Sequence, residues 1–135
     1  METIRPARIE DGPALRRLWA DAGLEQMDAD QYEAVVAQPS TIVLLAEDEG
    51  TATGVAIASF DGWRAQIYHV AVAEPLRHRG LAKELMAAAE KELRALGARA
   101  IRVAVGHDNP GGLALSYAMG YQPQDEAVLR KQAAD

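Results

Sequence analysis

The alternation of apolar and polar residues changes period once in a way that organises the rest of the chain. From Gln66 to Val72 the sequence is apolar and β-branched with no breaker, the mark of a buried strand. Pro75 ends it, because proline cannot donate to a ladder. From Leu81 onward Leu81, Leu85, Ala88 and Ala89 recur at helical spacing, and Lys83, Glu84, Glu90, Lys91 and Glu92 take most of the other face. Between strand and helix lies a short basic turn, Arg77 to Gly80. The first amides of such a helix have no intrahelical acceptor and sit at the positive end of the helix dipole. Gly80 lets a ligand approach the backbone, and Arg77, His78, Arg79 and Lys83 add positive charge. The combination suits a phosphate or pyrophosphate.

The same patterning predicts the other elements. Thr3 to Ile9 alternates as a first strand. Glu10-Asp11-Gly12-Pro13 starts a helix with the apolar stripe Leu15, Leu18, Trp19 and Ala22, closed by Gly23. Asp28 or Asp30 caps a second helical piece with Tyr32, Val35 and Val36 on its apolar face. Thr41 to Glu47 and Thr51 to Phe60 are strands joined by an Asp48-Glu49-Gly50 turn, and Asp61-Gly62 turns the chain into the strand from Ala65 to Val72. After Leu96-Gly97 a strand is expected over Ala100 to Val105, parallel to the central one through a right-handed crossover. A loop from His107 to Gly112, a helix from Leu113 to Met119 and a last strand within Asp125 to Lys131 complete the chain. The expected order is β-α-α-β-β-β-α-β-α-β in one domain, residues 1–135, with Gln132 to Asp135 as a tail.

Composition narrows the chemistry. The 135 residues are 49% hydrophobic and 25% charged, ordinary values for a globular domain. The net charge of −6 argues against nucleic acid as a partner and is compatible with a cationic or amine substrate. There are no cysteines, which removes disulfides and thiolate chemistry and fits the cytoplasm. No stretch is long and apolar enough to suggest a membrane span or a leader peptide. No His, Asp and Glu cluster stands at metal-ligand spacing, so no metal is expected.

The P-loop and dinucleotide fingerprints are both absent. What stands in the turn is Arg77-x-x-Gly80-x-Ala82, and it resembles the R/Q-x-x-G-x-G/A signature of the GNAT family of acyl-CoA-dependent N-acetyltransferases. The predicted element order resembles the family's over nearly the whole chain. Asn109, Ala114 and Gly120-Tyr121 resemble its second signature, and Phe60-Asp61-Gly62-x-Arg64 resembles a hairpin of small bacterial members. The resemblance implies a mixed α/β (α+β) fold with a mostly antiparallel sheet, acetyl-CoA as acyl donor and an amine acceptor, either a small molecule or a peptide or protein. It implies that the backbone of Val70, Ala71 and Val72 pairs with the pantetheine arm. Amides from His78 to Lys83 (His78, Arg79, Gly80, Leu81, Ala82 and Lys83) would hold the pyrophosphate, with Arg77, Arg79 and Lys83 as charge partners. Asn109 would contact the coenzyme; read from its own turn chemistry it is instead a turn residue beside Pro110. A homodimer through the C-terminal strands is common in such proteins.

The catalytic groups depart from the pattern. The family's Tyr falls here on Ser116, with Tyr117 about 100° further round the helix. Either residue, or water, is left as donor to the thiolate. The positions where the family often carries a Glu base are Gln66 and Ala104. Strand parity puts Gln66 and Tyr68 on one face, with Tyr68 toward the cleft, and Ile67 and His69 on the other. That leaves His69 either a structural histidine or a base acting through water. Met27 and Tyr32 either wall the acceptor cleft or pack beneath the helix. Two activities remain open: N-acetyl transfer, or an acyl-CoA-binding module with weak or no catalysis.

Overall fold

The structure, a computed structural model, describes residues 2–134; Met1 and Asp135, the latter closing the expected tail, lie outside the described residues. The elements are β1 (Thr3–Pro6), α1 (Gly12–Asp21), α2 (Ala29–Ala37), β2 (Thr41–Asp48), β3 (Thr51–Phe60), β4 (Ala65–Val72), α3 (Leu81–Leu96), β5 (Ile101–Val103) and α4 (Pro110–Ala118). Single 3₁₀ turns precede α1 (Ile9–Asp11) and follow β4 (Glu74–Leu76). The strands form one sheet in chain order, antiparallel from β1 to β4 and parallel between β4 and β5.

Both faces of the sheet are covered, which is why β2 and β3 read as unbroken apolar runs. On one face Leu44, Ala46, Ala56, Ala58, Ile67 and Val72 meet Leu81, Leu85, Ala89 and Leu93 of α3. On the other, Val43, Leu45, Val55, Ile57 and Ala71 meet Leu15, Leu18 and Trp19 of α1 and Tyr32 of α2. Small residues let α3 lie close to the strands. At Gly54 an added Cβ would stand 2.8 Å from Leu85 Cδ1 and 3.3 Å from the Ala71 carbonyl. That glycine sets the depth at which the N-terminus of α3 meets the end of β4.

The helix starts follow the expected chemistry with one change. Asp28 caps α2: its carboxylate accepts from the Gln31 amide at 2.8 Å, and the Gln31 side chain accepts from the Asp28 amide at 2.8 Å. Asp11 has no cap bond to α1. Its carboxylate takes both Arg5 guanidinium nitrogens at 2.9 Å and the Arg8 amide at 2.7 Å, while Arg5 Nε reaches Glu47 at 2.9 Å. The Arg5 hydrogen bonds hold the Asp11 carboxyl below its ordinary value. A depressed carboxyl contributes stability that is present above the unfolded-state value and is lost as pH falls through the folded-state value. Asp11→Asn is therefore expected to cost about 1 kcal/mol at pH 7 after solvent screening. It should also flatten the acid limb of stability below pH ~4, read as the urea midpoint against pH.

One pair of readings is decided here and one expectation fails. Of its two readings, Tyr32 takes the one packed beneath the helix. It is buried, its hydroxyl donates to the Arg8 carbonyl at 2.8 Å, and burial pushes its phenol up to about 12. The strand expected within Asp125 to Lys131 does not form, so the sheet ends at β5 among the described residues. β5 is only three residues long and offers a short ladder, and Val128 and Leu129 find no layer to pack on, remaining 82% and 89% exposed. Ion pairs tether the segment instead: Arg102 with Glu126, and Arg130 with Glu25 at 2.9 Å.

Candidate active site

The site begins where the sheet parts. β4 and β5 pair only at Ala65↔Ile101, Gln66↔Arg102 and Ile67↔Val103. From Tyr68 to Val72 the edge of β4 that faces β5 has no strand beside it. Such an edge offers backbone donors and acceptors to an extended ligand, as in strand addition.

A bulge lies at the same point. Opposite the two steps from Val55 to Ile57 of β3, β4 takes three, from Tyr68 to Ala71. His69 absorbs the extra residue with φ 52°. The bulge corrects the face expected from strict alternation. Ile67 packs toward α3, but the His69 ring lies edge-on to Trp19 of α1 at 5.6 Å and to Tyr68 at 5.8 Å. Tyr68 and His69 thus share the face of the sheet that α1 covers. Three contacts hold the bulge: Trp19 Nε1 donates to the His69 carbonyl at 2.8 Å, His69 Nε2 lies 2.9 Å from the Glu25 carbonyl, and the Tyr68 ring closes the third side. Tyr68 is half-buried, and burial raises its phenol above the ordinary value.

The turn after β4 is built from backbone. Arg77 is half-buried, and its Nε donates to the Val72 carbonyl at 3.0 Å. Part of its guanidinium is therefore spent on the strand end. His78 and Gly80 are left-handed, at φ 67° and 85°, and a Cβ at Gly80 would meet nothing within 4 Å. The ground in front of α3 is open. The amides of Leu81, Ala82 and Lys83, in the first turn, have no intrahelical acceptor. The side chains of Arg79 and Lys83 are exposed beside them, whereas Leu81 buries its own in the core. Val70, Ala71 and Val72 thus lie on the open part of β4, and the chain runs from their end through a 3₁₀ turn and the left-handed basic turn into the first amides of α3.

The side chains of α4 are fixed mainly by local contacts. Asn109 caps α4, its side chain accepting from the Gly112 amide at 3.0 Å, which is the turn role its chemistry predicts. Ser116 is buried, and its hydroxyl donates to the Gly112 carbonyl at 2.8 Å, a back-bond to the preceding turn. Tyr117 is 53% exposed. Tyr121 donates to Glu90 of α3 at 2.5 Å and so fixes the end of α4 to the long helix; burial and this carboxylate hold its phenol above the ordinary value.

Sequence reasoning passed over a cavity of about 310 Å³ at the far end of the same sheet face. Ser59, Asp61, Arg64, Gln66 and Arg102 line it, and Gln66 donates to Ser59 at 3.2 Å. The available signal was Asp61-Gly62-x-Arg64. Asp61 accepts from the amides of Trp63 and Arg64 at 2.9 and 2.7 Å, and these bonds hold its carboxyl below the ordinary value. That turn presents the Arg64 guanidinium over the Trp63 ring at 4.7 Å.

A mixed sheet parted between its two parallel strands, with a left-handed basic turn leading into a helix, defines an α/β class with an anion-ready helix terminus beside an open strand edge. The chain belongs to the acetyltransferase (GNAT) family, whose profile matches residues 8–121. A Yersinia pestis (strain Pestoides F) protein named acetyltransferase is 32% identical over 91 residues; the match spans 67% of this chain and 64% of the relative. Solved structures share the fold at lower identity. A transcriptional regulator from Bacillus halodurans C-125 has a TM-score of 0.86 at 15% identity, covering 98% of this chain and all (100%) of that one. An aminoglycoside N-acetyltransferase, AAC(6')-Iy, solved in complex with CoA, has a TM-score of 0.81 at 19% identity, covering 99% and 96%.

Proposed function

We propose that this protein moves the acetyl group of acetyl-CoA to a primary amine by direct attack on the thioester. The observation that carries the reading is an unpaired edge of β4 that leads, through a left-handed basic turn, to the free first-turn amides of α3. The edge Val70, Ala71 and Val72 suits the amide-rich pantetheine arm. The amides from His78 to Lys83, with Arg79 and Lys83 beside them, suit the pyrophosphate. Arg77 in this reading braces the strand end at Val72. Holding donor and acceptor together supplies much of the rate advantage.

For the leaving thiolate we assign Tyr117 as proton donor, because Ser116 is buried and already donates to Gly112. Tyr68 lines the acceptor side. The acceptor is a small-molecule or peptide amine. AAC(6')-Iy and a soil metagenomic relative of the fold are aminoglycoside acetyltransferases. The cavity on the acceptor face here balances Arg64 with Asp61, and Arg102 is paired with Glu126, so its lining carries no surplus of negative charge for a polycation and an amine of low charge fits it better.

The test is a melting-temperature shift with acetyl-CoA and with CoA, run beside thiol release over an amino acid, a polyamine, an aminoglycoside and a short peptide. A shift with thiol release is expected. A shift without release on any amine favours the acyl-CoA-binding module, and no shift at all removes the reading. Tyr117→Phe is expected to lower the rate at saturating substrate about 100-fold, with the KM for acetyl-CoA unchanged. Ser116→Ala is expected to leave the rate within about twofold.

A further inference from the structure

We propose that the imidazole of His69 receives the proton that the acceptor amine gives up; this rests on the transferase reading above. β4 carries no carboxylate between Ala65 and Val72, and His69 is the one imidazole in it. Strict alternation would turn that ring toward α3. The bulge turns it to the face shared with Tyr68, one residue past the point where β4 and β5 part. A non-glycine residue held at φ 52° is uncommon, and such strain persists where the surroundings over-determine it. Here the Trp19 indole, the Tyr68 ring and the Glu25 carbonyl do so.

The Glu25 contact decides the tautomer. A backbone carbonyl only accepts, so a 2.9 Å bond requires the proton on Nε2. The neutral ring then carries its lone pair on Nδ1, which has no hydrogen-bond partner among the described residues. The ring is presented with one nitrogen anchored and the other free to take a proton. The titratable and charged groups brought around it are the Tyr68 phenol, the Glu25 carboxylate and Arg130, which pairs with that carboxylate at 2.9 Å.

In the step, the amine lone pair forms the C–N bond at the thioester carbonyl and the C–S pair leaves with sulfur. The amine proton passes to Nδ1, and the sulfur takes a proton from Tyr117 or water. His69 then returns its proton to solvent or to Tyr117. Amine and thioester become amide and thiol, with no proton left over.

Two substitutions test it by thiol release with acetyl-CoA, using the amine panel and, in its absence, water as acceptor. His69→Gly suits φ 52° and keeps the carbonyl that Trp19 holds. It is expected to lower kcat about 100-fold, leave the Kd for acetyl-CoA within about twofold, and remove the acid limb from the kcat/KM profile. Added imidazole is expected to restore part of the rate. His69→Gln carries an amide nitrogen at the reach of Nε2 and so keeps a donor for Glu25, and a ring that only props the loop would be replaced by it. The glutamine variant is expected to stay as slow as the glycine one. A rate within about threefold of wild type in either variant, or an acid limb that persists in His69→Gly, overturns the assignment while leaving the transferase reading intact. Nitrogen NMR of the wild-type histidines checks it without relying on the variants: a neutral His69 protonated on Nδ1 also overturns it. Bound acetyl-CoA with no thiol release to any amine or to water removes the transferase reading, and this inference with it.

Discussion

Trp19→Ala is expected to lower the free energy of unfolding by about 3–5 kcal/mol, the range for emptying a large buried aromatic site. The ring is fully buried between α1 and the sheet, tilted against Tyr32 at 6.4 Å and edge-on to His69. Two losses combine. The cavity cannot collapse, because Leu15, Leu18 and Tyr32 are fixed by their own contacts with β2 and β3. The His69 carbonyl also loses its donor. Trp19→Phe separates the terms. It keeps most of the volume, and its cost of about 1–2 kcal/mol should come mainly from that unpaired carbonyl. The check is a pair of urea titrations at constant m-value. A loss below 1 kcal/mol for the alanine variant would show that the α1 layer contributes little to this domain's stability. Since domains of this size are stable by about 5–15 kcal/mol, the alanine variant should also melt well below wild type.

Gly80→Asp is expected to weaken acetyl-CoA binding about 100-fold, or about 2.7 kcal/mol. Aspartate tolerates the left-handed backbone at φ 85° about as asparagine does, and strain common to the free and bound protein does not enter the affinity. Its carboxylate would stand in the open ground before α3, opposing a second anion at the positive end of the helix. Gly80→Asn is the uncharged control; about a threefold loss is expected. Calorimetric titration of both variants at two salt concentrations checks this, the aspartate penalty shrinking at high salt. Equal affinities for wild type and Gly80→Asp would mean that the pyrophosphate does not lie at this turn, and the function proposed above would lose its main support.

Much of this molecule is local and was readable as such. The run from Gln66 to Val72, the proline stop, the basic turn and the Leu81 stripe each depend on near neighbours, so the strand, turn and α3 follow from pattern alone. The Asp28 cap and the Gly97 stop are local in the same sense. Other features were not readable because they depend on groups distant in the chain. Tyr32 lies in the core because Arg8, 24 residues earlier, offers its carbonyl. The segment around Val128 has strand-like residues but no strand, because β5 is too short to receive it. Ser116 and Tyr117 could be told apart only once the helix had folded. The serine then finds the Gly112 carbonyl one turn back, and the tyrosine is left outside.

By itself the sequence determined the elements up to α4 and the basic turn before α3, because propensity, capping and periodicity act over a few residues. The tertiary structure alone decided which face His69 occupies. That depends on a one-residue mismatch between β3 and β4, held in place by an indole 50 residues away. A strand pattern counts alternate residues and cannot register an extra one; only pairing against a neighbour reveals it.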